Sequence, residues 1–238
     1  MSVVLGLEAE FTFHGLNMEA KTHLMNTLAS RTTRDLIGLD GGMDTIEIRV
    51  PPSESPTTLL ASLESLVILY KEKLKAWTLV ARQQSHTVNQ SANLLRAGAA
   101  CKGIPLGIHV HFSNVPDTCV LPLHQVLQKT IGNAFLQLVG PQNEMLSRQR
   151  AGYGQADPQL ALRLKGPDWF EWREPFSCLT PAHMFVLVHA CKLFAEAVVT
   201  ANYSFPKCNA STFVESLDAA HDVTEKKVLP AHVFRNLK

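Results

Sequence analysis

The sequence predicts a single α+β domain spanning residues 1–238, and three observations support it. Four short segments alternate apolar and polar residues with the period of two that a strand requires. Two longer segments, beginning at Pro56 and Pro181, place apolar residues at helical spacing. No Pro-, Gly- or Ser-rich linker divides the chain. With 46% apolar and 18% charged residues, the composition is that of a chain able to bury a core.

In chain order, Val3–Phe13 reads as the first strand. The segment Gly15–Asp35 carries Leu16, Leu24, Met25 and Leu28 at helical spacing, and LIGLDGGMD then reads as a Gly/Asp turn cluster. Thr45–Val50 is a strand that Pro51 and Pro52 should end, because proline donates nothing to a ladder. Ser55 and Pro56 are a good N-cap and first residue for a helix running to about Ser85, with Leu59, Leu63, Leu66, Val67, Tyr70, Leu74 and Trp77 in its apolar stripe. A looser stretch, Asn89–Lys102, precedes a strand at Gly107–Ser113. A helix follows over about Leu121–Val139. The Gly- and Arg-rich stretch Arg148–Gly166 reads as a loop, Trp169–Arg173 as a short strand, Pro181–Tyr203 as a helix, and the tail Ser211–Lys238 as partly helical.

Several function classes are disfavoured at this level. A net charge of +1 without a basic stripe gives no nucleic-acid footprint. The most apolar segment, Leu179–Tyr203, contains His183, His189, Lys192 and Glu196, too much polarity for a membrane span. Glu8 and Glu10 interrupt MSVVLGLEAEF before a signal-peptide core forms. Cys101, Cys119, Cys178, Cys191 and Cys208 are odd in number and irregular in spacing, so neither a disulfide framework nor a zinc knuckle is expected. A cytoplasmic protein, in the host cytoplasm if phage-encoded, is the expectation.

The chemistry sits on the strands. Residues i and i+2 share a face, so Glu8 and Glu10 oppose Leu7, Ala9 and Phe11. Likewise Glu47 and Arg49 oppose Ile46, Ile48 and Val50. His109, His111 and Ser113 oppose Ile108, Val110 and Phe112, while Glu171 and Arg173 oppose Phe170 and Trp172. One such strand is merely half-solvated. Four of them, rich in glutamate, histidine and arginine and without lysine, call for cations between the carboxylates. The donor set suits Mg²⁺ or Mn²⁺. A two-His-one-carboxylate iron centre is the weaker alternative, since Asn114, Val115 and Pro116 stand where its acid would normally follow the second His. Hard cations beside arginines suggest phosphoryl chemistry, without a P-loop or a dinucleotide fingerprint. Asp40 and Asp44 fit turn chemistry, Trp172 the core, and Trp169 the rim of the polar face. His14, His23, His86, His124, His183, His189, His221 and His232 are scattered and read as structural.

In this order, GLEAEF, DGGMDTIEIRVPP, GIHVHFS, RQRAGYG, LALR and WFEWREP resemble the glutamine synthetase / glutamate–cysteine ligase superfamily, over about residues 3–178. The nearest look-alikes are the small phage-type carboxylate–amine (COOH–NH2) ligases of phiEco32-like phages. The resemblance implies a curved antiparallel sheet with outer helices and a funnel-shaped site. It also implies ATP-dependent amide formation through an acyl phosphate, using Mg²⁺ or Mn²⁺ and a small-molecule or peptide carboxylate and amine. By the same resemblance, Glu8, Glu10, Glu47, His109 and Glu171 are metal ligands, and His109, His111, Arg49 and Tyr153 contact the nucleotide. Arg173 and Arg163 act on the transferring group, with Arg148 and Arg150 in the matching loop. A guanidino-kinase-like phosphotransferase and a non-catalytic Mg-ATP binder remain alternatives on the same scaffold. The chain is short for the superfamily, and nothing after Ser177 matches it.

Overall fold

Six strands form one antiparallel sheet in the order β2-β3-β1-β4-β6-β5, as seen in a computed structural model that describes residues 2–12, 22, 26, 36–40, 45–83, 107–136, 161–175, 181–201 and 213–224. The strands are β1 (Val4–Thr12), β2 (Ile37–Asp40), β3 (Thr45–Ser53), β4 (Ile108–Ser113), β5 (Leu162–Gly166) and β6 (Trp169–Trp172). The helices are α1 (Pro56–Gln83), α2 (Asp117–Leu127), α3 (Pro181–Ala201) and α4 (Phe213–Thr224). The α+β reading holds, and the four strands read from alternation are the four central ones.

Register is set by the apolar face. Leu7 pairs with Val50 on one side and Val110 on the other, and Val110 pairs with Trp172. All four are buried, with Leu5, Ile48, Phe112 and Phe170. Phe112 and Phe170 stack at 4.8 Å, which locks β4 to β6. A slip of one residue would turn this whole set toward the polar side. Helix α1 packs on β3 and β1, and α3 packs on α1, α2 and α4. The Ser55 hydroxyl accepts the Thr58 N–H at 3.3 Å and caps α1 as expected.

Four expectations are corrected. LIGLDGGMD is not all turn: Ile37–Asp40 is a strand, with Ile37 buried against the core and paired with Ile48. Pro51 and Pro52 lie inside β3 instead of ending it. There the β1 partners run from Leu7↔Val50 to Leu5↔Ser53, so β3 carries an extra residue, and β2 has already ended; a bulge at a free edge is where proline is tolerated. Helix α2 starts at Asp117, whose carboxylate favours a helix N-terminus, and it widens into π-helical turns over Gln128–Leu136. Within the expected loop, Leu162–Gly166 is an edge strand paired with β6. The segments around Leu16, Tyr153 and most of the C-terminal tail lie outside the described residues.

The apolar span His183–Thr200 is long enough to cross a membrane by composition, yet 78% of it is buried in the molecule as the core of α3. Its charged pair explains itself. Lys192 Nζ lies 2.9 Å from Glu196 Oε1, 3.0 Å from Ser2 Oγ, and also donates to the Val3 carbonyl. The Ser2 hydroxyl donates to Glu196 at 3.2 Å. This buried pair ties α3 to the start of β1. Lys192→Met would strand the Glu196 carboxylate in the core and should cost ~3–5 kcal/mol in denaturant unfolding. The double change Lys192→Met with Glu196→Leu removes both charges and should recover most of that loss.

Candidate functional site

The polar face of the sheet gathers the residues that alternation singled out. Glu8 pairs with Arg49 and His109, Glu10 with Glu47, and His111 with Glu171. Glu10, Glu47, His109, His111 and Glu171 are buried and Glu8 is half-buried.

His109 is the hub. Its Nδ1 lies 2.8 Å from Glu171 Oε1 and 3.2 Å from Glu8 Oε2, and its Nε2 lies 3.3 Å from Glu10 Oε1. His111 Nε2 lies 3.2 Å from Glu8 Oε1. The second oxygen of Glu10 accepts the Gly107 N–H, which fixes that carboxyl at the start of β4. Arg49 bonds Glu47 Oε2 at 2.8 Å through Nε and 2.6 Å through a terminal nitrogen. A Cβ on Gly38, the β2 residue opposite Glu47, would sit 2.8 Å from that guanidinium, so glycine is what admits it.

Two cations complete the far side. Arg173 Nε is 3.4 Å from Glu171 Oε1, and Lys165 Nζ is 2.9 Å from Glu171 Oε2. Lys165 was missed. It stands two residues after Arg163 and would have shared its face had the segment been read as a strand. Arg163 is in register with Glu171 but exposed on the edge strand. Trp172 is fully buried in the core and Trp169 is half exposed beside His111, as their faces suggested. Tyr153, Arg148 and Arg150 lie outside the described residues, as does Asp44. His124 and His189 are buried away from this face, and burial holds both below the usual imidazole range.

The electrostatics follow from crowding. Burial alone pushes the Glu8 carboxyl up, but hydrogen bonds from His109 and His111 pull further the other way and hold it below the usual carboxylate range. Glu171 behaves alike: burial raises it, His109 and then Lys165 outweigh that, and it settles at about 2. Glu47 has the opposite fate. Burial and the neighbouring Glu8 push it up to about 7, against partial relief from Arg49. Crowding therefore favours the protonated form of one acid of the cluster, Glu47.

The donor set fits hard divalent cations. One ligand atom each from Glu8, Glu47 and His109 lies within 4.8 Å of the others, and so does one each from Glu8, His111 and Glu171. Glu8 is common to both groups. His111 Nδ1 is buried with no hydrogen-bond partner among the described residues. Both groups hold two carboxylates to one imidazole, the opposite of an iron centre of two imidazoles and one carboxylate, and carboxylate-rich sets suit Mg²⁺ and Mn²⁺.

No protein-family model and no curated protein matches the chain. Solved structures do. The complex between the prokaryotic ubiquitin-like protein Pup and its ligase PafA matches at a TM-score of 0.60 and 9% identity, over 94% of this chain and 51% of that one. GmaS without ligand matches at a TM-score of 0.54 and 12% identity, over 100% of this chain and 65% of that one. The chain has a carboxylate–amine ligase-like fold. The likeness is one of fold, and the chain spans about half the length of the PafA chain it matches.

The raised Glu47 carboxyl gives a test of the cluster without any metal. Folded, Glu47 keeps its proton up to about 7; its ordinary value is 4.5, so between the two the folded state binds more protons than the unfolded one. That contribution to stability is present below 4.5 and is lost as the pH rises through about 7. Glu8 and Glu171, held low, lose their contribution only below 4.5, outside this window. In metal-free unfolding measurements, Glu47→Gln should match the wild type near the lower limit and exceed it above the upper one.

Proposed function

We propose that the protein is an ATP-dependent carboxylate–amine ligase working with Mg²⁺ or Mn²⁺. The observation that carries this reading is the convergence of Glu8, Glu10, Glu47, His109, His111 and Glu171 from four strands onto one buried face. The ligase-like fold supports it.

In this reading Glu8, Glu10, Glu47, His109 and Glu171 hold the metal ions, with Glu8 shared between the two donor groups. Bound cations would neutralise the phosphates of ATP and align an in-line transfer. The chain's own groups do the rest. His111 and Arg49 flank the cluster and contact the nucleotide, as does Tyr153. Arg173, Arg163 and Lys165 line the β5–β6 side as a row of cations on which the transferred phosphoryl group is held. The substrate carboxylate attacks the γ-phosphorus, ADP leaves, and the acyl phosphate is stabilised by those cations. The amine then attacks the acyl carbon, and phosphate departs with the bonding pair while the amine gives up a proton. The acid and amine are small molecules or peptides; PafA acts on a protein, Pup, and a polypeptide substrate falls within the proposal.

The test is ADP release by the purified chain with Mg-ATP. A ligase needs an acid and an amine together; a guanidino-kinase-like enzyme needs one phosphate acceptor; a binder releases nothing. Glu10→Ala and Glu171→Ala should each lower release by about 100-fold or more, the upper end of what even a metal's supporting partners cost, while the far-UV circular dichroism is retained. Near-normal release from either variant would sink the metal assignment.

A further inference from the structure

We propose that Trp169 is the stacking platform for the nucleotide base, an inference that rests on the nucleotide reading above. Trp169 opens β6 and pairs with Ser113, two residues from the His111↔Glu171 pair, so it belongs to the polar face and not to the core. Its indole remains 41% exposed, unusual for a tryptophan beside a buried cluster. The ring centroid lies 6.0 Å from that of His111, tilted by 42°. His111 in turn reaches Glu8, the carboxylate common to both donor groups. A planar face thus stands one residue away from the place where the phosphates would lie. His111 Nδ1, buried and without a hydrogen-bond partner among the described residues, borders the same space as a polar atom waiting for a ligand.

The platform is held rigidly. The β5–β6 turn is Pro167-Asp168, with Asp168 at φ 54, a left-handed conformation that a short Asx side chain tolerates. The Asp168 carbonyl accepts the Val115 N–H at 3.2 Å, which pins the turn to the end of β4. On the opposite face the Phe112–Phe170 stack fixes the same two strands. A backbone already fixed at this position leaves only the indole to be ordered when a base lies on it.

Stacking uses the π-face that every base has, so Trp169 should strengthen binding without choosing among bases. The experiment is calorimetric titration of wild type, Trp169→Leu and Trp169→Phe with Mg-ATP, Mg-GTP and Mg-tripolyphosphate. Leucine keeps apolar bulk without a π-face, and phenylalanine keeps both. Trp169→Leu should weaken ATP and GTP alike by about tenfold, and Trp169→Phe should restore most of it. Tripolyphosphate affinity should stay unchanged in all three proteins. Equal loss for tripolyphosphate, or no loss for ATP, overturns the platform. Wild type that binds tripolyphosphate as tightly as ATP also overturns it, yet leaves the metal-phosphate site standing. Wild type that binds none of the three overturns the nucleotide reading and the platform with it.

Discussion

Like-charge crowding on one face of the sheet is the constraint on which the rest depends. Glu8, Glu10 and Glu171 all approach one imidazole, His109, and Glu47 stands beside them. Buried carboxylates at this density repel one another and resist burial. The fold meets that cost with the imidazole at the centre, a cation at either side and a Glu47 carboxyl whose affinity for a proton is raised. Each remedy is partial. The arrangement is therefore poised for added positive charge, and a strand sheet cannot relax the strain by moving one side chain away. The residues are fixed to neighbouring ladders, and a slip of one position would invert every face.

What holds such a face together is the face behind it. Leu7, Val110 and Trp172 form one cross-strand row, each at most 1% exposed. Apolar burial of this kind contributes ~1.5–3 kcal/mol per large side chain, so a few rows suffice to offset an unfavourable polar side. The Lys192–Glu196 pair adds position more than stability, because it fixes the start of β1 from the far side of the core. β1 is the strand that carries both Glu8 and Glu10, so the fold anchors the residues whose mutual repulsion is greatest. The division of labour is physical: one side of the sheet supplies free energy, and the other spends part of it on holding charge in place.

This division is also why so much was legible. Period-two alternation displays both faces at once, and it located β1, β3, β4 and β6 with their polar residues. It failed where the pattern was too short or too mixed. β2 is four residues inside a run of glycines and aspartates, and its identity comes from pairing with Ile48, a tertiary fact. β5 reads LRLKG, which does alternate, but its neighbours Leu164 and Arg163 are exposed, and an edge strand with one wet side looks like a loop. Missing β5 meant missing Lys165, the cation that sits on Glu171. Pro51 and Pro52 were read as a strand end because local rules ignore bulges. The long-range bonds of His109 could not be foreseen from spacing alone, since three of its partners lie on two other strands.

The residue pattern and the fold likeness are separate observations. At 9% and 12% identity, the match to PafA and GmaS owes little to shared side chains, whereas the motif reading used side chains and order alone. A scaffold can outlast its activity, so the likeness by itself argues only for the sheet. Conversely, an acidic face by itself argues only for cations. Jointly they narrow the proposal, because a ligase-like sheet offers no evident reason to keep buried, mutually repelling glutamates unless cations are to be held there. Substrate choice belongs to a different layer. The cluster is built on strands, where geometry is stiff, while selection among acids and amines is ordinarily carried by connecting segments. Strand-borne groups such as Trp169 and the β5–β6 cations would then add strength of binding on this face, while the choice of acid and amine lies elsewhere.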